Sequence, residues 1–444
     1  MISARRFLPA LASTALGLAL SASAAPALRA QDAATAWASG PLEVVVALPK
    51  PADDASAAAL VGRSIPYYPE GPGAPLPDAS AEPLGALKIA GARAEDGGRT
   101  LVLATDPHPL PARYVLDLTG VAGLGRVVYT LGGVEAAWFE GDEPGPEPAW
   151  TAWLDAPDVD GFRRLGAIDG NPRLLRRAED VRKAGSLRLD GLAILPAPGQ
   201  AEVTIESDAP VVEALFGDGE PEGGIEAVDG GGSRMKFPIG DGSQPAFFSL
   251  AVKTGPDLPT RPLRVRYAAG GGGPADPKPI RFLLPWAPTA LAASEPQPME
   301  IPDFAGGDPA KGEEVFFSKE ALCSQCHVVK GKGGQVGPDL STIGRKGAEY
   351  LYRSLAAPSE AIVPDFVTYT VSMKDGRVAA GVVRAEGPDA IRVIDTEAKS
   401  TTIKHDEIED LRAGATSIMP VGLVPVLGEA RLRDLMAYLA TLQP

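Results

Sequence analysis

The run Leu322 to Val328, LCSQCHV, holds Cys323, Cys326 and His327, both cysteines of the 444-residue chain and one of its three histidines. Three chemistries can be built on that spacing: a dithiol redox couple, half of a zinc site, or the attachment point of a haem. A thioredoxin-type couple needs its C-x-x-C at a strand-to-helix turn within a βαβ context, and no such context flanks this run. Zinc needs four ligands, so Cys323, Cys326 and His327 would have to recruit His405 or a distant carboxylate. Haem attachment needs only the five residues CSQCH. Two thiols about one turn apart can each form a thioether, and the adjacent imidazole can turn toward the iron. One covalent haem c is therefore the expected cofactor. A disulfide is the poorest use of the pair, because an i, i+3 bridge closes a tiny loop and stiffens little.

The N-terminus points to the compartment. Arg5 and Arg6 precede an apolar stretch from Phe7 to Leu20, followed by small residues at Ala22, Ala24 and Ala25, the layout of a secretory signal peptide over residues 1–30. Covalent haem is attached outside the cytoplasmic membrane, so periplasm or cell surface is the expected location. No later stretch approaches the roughly 18 apolar residues of a span, and no transmembrane segment is expected. The formal charge is −15, and removing residues 1–30, with three arginines and no acid, takes it to −18. A surface this acidic repels nucleic acid and anionic lipid, which excludes both as partners.

The elements that must position these residues fall into blocks. Residues 35–130 read as a small Ig-like β-sandwich: PLEVVVALPKP (41–51) is strand-like, and three further runs over 85–121 are broken by Asp96-Gly97-Gly98 and a proline-rich turn. Residues 134–288 read as a second β-sandwich, with one helical pattern at 173–185. Residues 289–306, rich in Pro, Ala and Glu, read as a linker. From Gly307 the texture turns helical: Asp308 and Pro309 start a helix, and Leu432, Leu435, Met436, Leu439 and Leu442 form a stripe on the last one. Between them four strand-like runs predict a β insert over about 365–412. The expected fold class is thus mainly β in its N-terminal part, two β-sandwich modules, plus an α-helical domain carrying a small β insert.

Several separate motifs in 307–444 occur in an order that resembles a class I c-type cytochrome, more narrowly the haem-binding domain type of planctomycete and verrucomicrobial multidomain proteins. They are Gly312 and Phe316, CSQCH at 323–327, GGQVGPDLSTIGRK at 333–346, PSEAIVPDF at 358–366, KDGRVAAG at 374–381, SIMPVGL at 417–423 and LRDLMAYLATL at 432–442. Residues 35–130 are similar to bacterial Ig-like repeats through Arg99 to Leu103, Tyr114 and Leu116. The cytochrome resemblance implies that Gly312 and Phe316 sit where the first and last helices cross. It implies His327 as proximal ligand, with the Pro338 carbonyl accepting from its imidazole, and Leu340 and Ile343 as haem walls. It places the second axial ligand at Met419, ahead of Met235, Met299, Met373 and Met436. His405 keeps a bis-histidine site open, although its setting reads as a solvated turn. Lys330, Lys332, Arg345, Lys346 and Arg353 form a basic patch in an acidic chain, suited to an acidic redox partner, and Arg345 is positioned to pair with a haem propionate.

The expected function is single-electron transfer by an exported monohaem c-type cytochrome with a redox partner protein. Two alternatives stay open. One is a haem-containing enzyme, either an oxidoreductase with a built-in electron acceptor or a peroxidase-like protein. The other is a cell-surface protein whose sandwiches bind a polysaccharide or protein, with the haem as accessory. Trp150 and Trp153 could form a sugar-stacking platform but are expected in the core, and His108 is expected at an exposed turn.

Overall fold

The computed structural model describes residues 34–70, 81–158, 160–259, 263–269, 280–289, 298–360 and 362–444. The expected signal peptide over 1–30 and the middle of the expected linker 289–306 fall outside the described residues. Seven antiparallel strands open the chain: β1 (Thr35–Gly40), β2 (Glu43–Ala47), β3 (Ser64–Tyr68), β4 (Gly85–Glu95), β5 (Thr100–Thr105), β6 (Arg113–Asp117) and β7 (Arg126–Tyr129), with a short helix α1 (Asp54–Ala58) after β2. They form one sheet in the order β1-β2-β5-β4-β3-β6-β7. Its two ends approach each other, so the sheet is nearly closed. Alternate residues such as Val44, Val46, Ile65, Tyr67, Tyr114 and Leu116 are buried inside it.

The next block supplies β8 (Val134–Phe139), β9 (Trp150–Leu154), α2 (Gly161–Asp169), α3 (Pro172–Asp180), β10 (Gly185–Ile194), β11 (Ala201–Ser207), β12 (Val211–Phe216), β13 (Glu226–Val228), β14 (Gly232–Ile239), β15 (Ala246–Thr254), β16 (Arg264–Ala269) and β17 (Arg281–Leu283). One sheet runs β12-β15-β10-β8-β9, with β17 also pairing β10; the other runs β13-β14-β11-β16. Their core also takes in Trp37, Val45 and Val102 from the first sheet. Trp37 stacks on Trp153 with ring centroids 5.6 Å apart. Trp150 is buried beneath the Arg177 guanidinium, 4.4 Å from the ring. Both tryptophans are packing residues.

The remainder contains α4 (Pro309–Phe316), the single turn α5 (Cys323–Cys326), a two-stranded hairpin of β18 (Val328–Val329) and β19 (Lys332–Gly333), α6 (Gly347–Ala356), then β20 (Thr368–Met373), β21 (Val378–Ala385), β22 (Ala390–Ile394), β23 (Ser400–Lys404), β24 (Ile408–Ala413) and finally α7 (Leu423–Thr441), broken at Gly428. Asp308 caps α4 by accepting from the Ala310 and Lys311 amides at 3.0 and 3.4 Å. Gly312 lets α4 press on α7, since a Cβ there would meet the Asp434 carbonyl. The insert is a five-stranded sheet, β23-β22-β21-β20-β24, one strand more than the sequence predicts.

The expected plan of two β-sandwich modules followed by an α-helical cytochrome c domain with a small β insert is corrected on two counts. First, residues 35–129 form a single curled sheet, because one continuous antiparallel ladder joins all seven strands. Second, the β20 to β24 sheet is no minor insert among helices. It has its own core of Tyr369, Val371, Val383, Ile391 and Leu411, which Leu42 of the first sheet joins, while the helices around it are short or broken. Taken over the described residues, the chain is mainly β. Among the described residues no helix is long and apolar enough to cross a membrane.

The sheet of β20 to β24 is bound to the first barrel by side chains. Tyr67 Oη donates to Asp365 Oδ1 at 2.6 Å, Tyr369 Oη donates to the His108 carbonyl at 3.1 Å, and the Ala385 amide donates to Asp106 Oδ1 at 2.7 Å. His108 itself is corrected from an exposed turn to a buried residue, 1% exposed, because the rings of Tyr114, Tyr129 and Trp286 enclose it.

Candidate functional site

The CSQCH run begins with Leu322 in the left-handed region (φ 60°), which turns the chain into the one-turn helix α5. The His327 amide closes that turn on the Cys323 carbonyl at 2.9 Å, and His327 then leaves in extended conformation. Residues 333–338 double back over it. The amides of Gly334, Val336 and Gly337 donate to the carbonyls of Ser324, Cys326 and Cys326 at 2.9, 3.0 and 2.8 Å. This return needs glycine at 337, where a Cβ would stand 2.6 Å from His327 Cε1. The next residue, Pro338, accepts from the imidazole: its carbonyl lies 2.8 Å from His327 Nδ1. A carbonyl can only accept, so Nδ1 carries the proton and Nε2 keeps its lone pair.

Cys323, Cys326, His327 and Met419 line one cavity of about 260 Å³ that opens to solvent. Its walls are mostly apolar and come from every part of the C-terminal block: Leu340 and Ile343, Leu351 and Leu355 of α6, and Leu423, Leu435 and Leu439 of α7. Met419 reaches it from the loop between β24 and α7, where its amide is held by Ser417 Oγ at 3.1 Å. Burial sets the electrostatics. It pushes the Cys323 thiol up to about 11, raises Cys326 as well and lowers His327, an effect the Pro338 bond partly offsets. Thiols held in the protonated form are poor nucleophiles, which counts against a reactive dithiol couple. Among the described residues no group of three or more His, Cys, Asp and Glu side chains could hold a metal ion. His405 lines a different cavity, leaving the zinc reading without its fourth ligand.

Of the residues expected at the site, Cys323, Cys326, His327, Pro338, Leu340, Ile343 and Met419 are brought together, and Arg345 is not. Arg345 is exposed on a 3-10 turn, Ile343–Lys346, outside the cavity wall. Arg353 lines the cavity instead, paired with Glu349 at 3.1 Å and Glu360 at 3.9 Å. Lys330, Lys332 and Lys346 are exposed. Sequence reasoning missed Tyr350, Ser354, Val363, Phe366 and Thr396. The last two carry a structural point: Phe366 and Thr396 belong to the β insert and its lead-in, so the insert walls one side of the cavity. Ile394 of the insert also packs in a small cluster with Cys326, Val336, Val382 and Ile418.

No family model and no curated protein matches this chain. With a mainly β chain and no such match, the expected membership in the class I c-type cytochromes, preceded by bacterial Ig-like modules, is corrected and set aside. The chemistry of the site rests on its own residues. Among solved structures, a β-glucosidase from Kluyveromyces marxianus in complex with glucose matches at 13% identity, covering 31% of this chain and 16% of that chain, with a TM-score of 0.21. An anti-sigma factor domain-containing protein matches at 10% identity, covering 52% of this chain and 80% of that chain, with a TM-score of 0.22. Scores this low assign neither fold nor activity.

Proposed function

We propose that this chain is an exported monohaem electron carrier. In this reading Cys323 and Cys326 would tether one haem through thioethers, and His327 and Met419 would ligate its iron. The observation that carries it is the convergence of these four side chains on one largely apolar cavity, with Met419 arriving 92 residues after His327. The residues fit the group: two thiols one helical turn apart, an imidazole whose Nε2 lone pair is free, and a thioether sulfur. Bound there, a haem supplies a one-electron ferric/ferrous couple, which Met/His ligation places toward high potential.

The chain's own groups prepare the rest. The Pro338 carbonyl fixes the tautomer and orientation of His327 and makes it a stronger donor. Leu340, Leu351, Leu355, Leu423 and Leu439 exclude water, and a dry, low-dielectric wall disfavours added charge on the site. Phe366 and Thr396 extend that wall from the β insert. The exposed Lys330, Lys332 and Lys346 offer an acidic redox partner a complementary face. Export, proposed from the layout of residues 1–30, would expose the cysteines to haem attachment.

The test is the absorption spectrum of protein produced in an exporting host equipped to attach haem. One haem per chain that survives acid-acetone extraction, and a weak far-red charge-transfer band in the ferric form that disappears in Met419→Ala, are the expected results. Haem extracted freely from the wild type would overturn the tether. A band retained in Met419→Ala would overturn the distal ligand.

A further inference from the structure

We propose that the open edge of β24 receives an extended basic peptide segment as a sixth strand of the C-terminal sheet. Sheet order leaves β24 at an edge, paired on one side with β20. The Gly414 amide donates to the Thr368 carbonyl at 2.8 Å, and the register pairs Thr370 with Arg412. In an antiparallel ladder the direction alternates residue by residue. Gly414 and Arg412 therefore point their backbone groups at β20, and Ala413 and Leu411 point theirs outward. Among the described residues no backbone group pairs with Leu411 on that outer side.

That edge borders an open cleft between the C-terminal sheet and the first one. All six residues from Ile408 to Ala413 line a cavity of about 1050 Å³, whose far walls are the Gly40–Leu42 turn of the barrel and the segment Pro285–Thr289. Six strand residues extend about 20 Å, enough for a peptide to add by main-chain hydrogen bonding. Charge selects the occupant. Glu135, Asp389 and Glu409 line the cavity without an ion pair among the described residues. Its two arginines are already engaged, Arg93 with Glu43 at 3.3 Å and Arg412 with Asp410 at 2.5 Å. Glu409 on the edge strand, with Glu135 and Asp389 elsewhere on the cavity wall, complements lysine or arginine side chains. This site is separate from the Cys323 cavity, and its test reads equally with or without haem.

The experiment uses the full chain and an octapeptide of alternating lysine and valine, followed by calorimetry and by amide exchange resolved at Leu411. Binding that weakens with salt and slows exchange of the Leu411 amide by roughly tenfold or more is expected. Ala413→Pro, which removes an outward amide where an edge strand tolerates proline, and the surface pair Asp389→Lys with Glu409→Lys should each weaken binding roughly tenfold. Absence of binding at about 1 mM peptide, equal binding of a glutamate-valine octapeptide, or binding without protection of Leu411 would overturn the proposal. So would occupation of the cavity by a cello-oligosaccharide that leaves Leu411 exchange unchanged while blocking the peptide.

Discussion

His327 is held from both sides by residues 337 and 338: the Pro338 carbonyl lies 2.8 Å from Nδ1, and Gly337 leaves the ring no room to spare. The consequence is tested with Gly337→Ala. Its new Cβ would stand 2.6 Å from Cε1 and 2.8 Å from Nδ1, so the imidazole must rotate and lose its bond to Pro338. We expect a destabilisation of about 1–3 kcal/mol in denaturant titrations. Unchanged stability would mean that the ring is freer than this geometry implies.

The barrel and the cavity wall meet at Tyr67 and Asp365. The Tyr67 ring is fully buried and its hydroxyl donates to Asp365 Oδ1 at 2.6 Å; Phe366, the next residue, lines the cavity. Tyr67→Phe leaves a part-buried carboxylate short of a donor, at a cost of about 1–3 kcal/mol. Asp365→Asn restores neutrality, so the double variant should lose less than the sum of the singles. A double-mutant cycle with no coupling would contradict the contact.

His108 gives the chain an acid sensitivity with a defined sign. Its Nδ1 must donate to the Pro41 carbonyl at 3.0 Å, which leaves Nε2 to accept from Tyr129 Oη at 3.0 Å. Burial holds the imidazole down to about 4, below its ordinary 6.5. The unfolded chain therefore takes up this proton first as the pH falls. The stabilisation is complete above about pH 6.5, declines between 6.5 and 4, and its loss levels off below 4 at about 3 kcal/mol. His108→Gln should flatten this part of the stability profile measured by urea unfolding. A variant profile parallel to the wild type would refute the assignment.

What the sequence disclosed, and what it hid, follows from the range of each signal. The CSQCH turn, Gly337-Pro338 and Met419-Pro420 are local motifs whose chemistry is written within a few residues, and all line one cavity. Thr396 carries no such mark, and Phe366 ends the PSEAIVPDF motif without any sign of its role; they reach the cavity because a five-stranded sheet folds beside it. His108 in DPHP reads as a surface turn, since its burial depends on tyrosines from two other strands. Period-two alternation likewise marks four strand-like runs in residues 35–129 where the structure has seven strands, and it cannot separate a sandwich from one curled sheet, because both bury every second residue. Arg345 failed for a related reason: a positive charge near a motif says nothing about which way its turn faces.

The packing that brings α4 onto α7 depends on the absence of one methyl group. At Gly312 a Cβ would lie 2.0 Å from the Asp434 carbonyl oxygen and 2.7 Å from Tyr438 Cβ, while the Asp308 amide donates to Asp434 Oδ1 at 2.8 Å beside it. Gly312→Ala brings two opposed effects. Alanine favours an isolated helix over glycine by about 1 kcal/mol. The clash falls on backbone, which cannot rotate aside as a side chain can, and overpacking of this kind costs about 1–3 kcal/mol. The helices must separate, loosening the Phe316–Tyr438 contact, whose ring centroids lie 5.9 Å apart. We therefore expect net destabilisation, a lower Tm, and loss of the near-ultraviolet signal from these rings before the far-ultraviolet signal of the sheets. A Gly312→Ala protein as stable as the wild type would show that propensity outweighs the crossing, and that α4 is not clamped against α7 at this point.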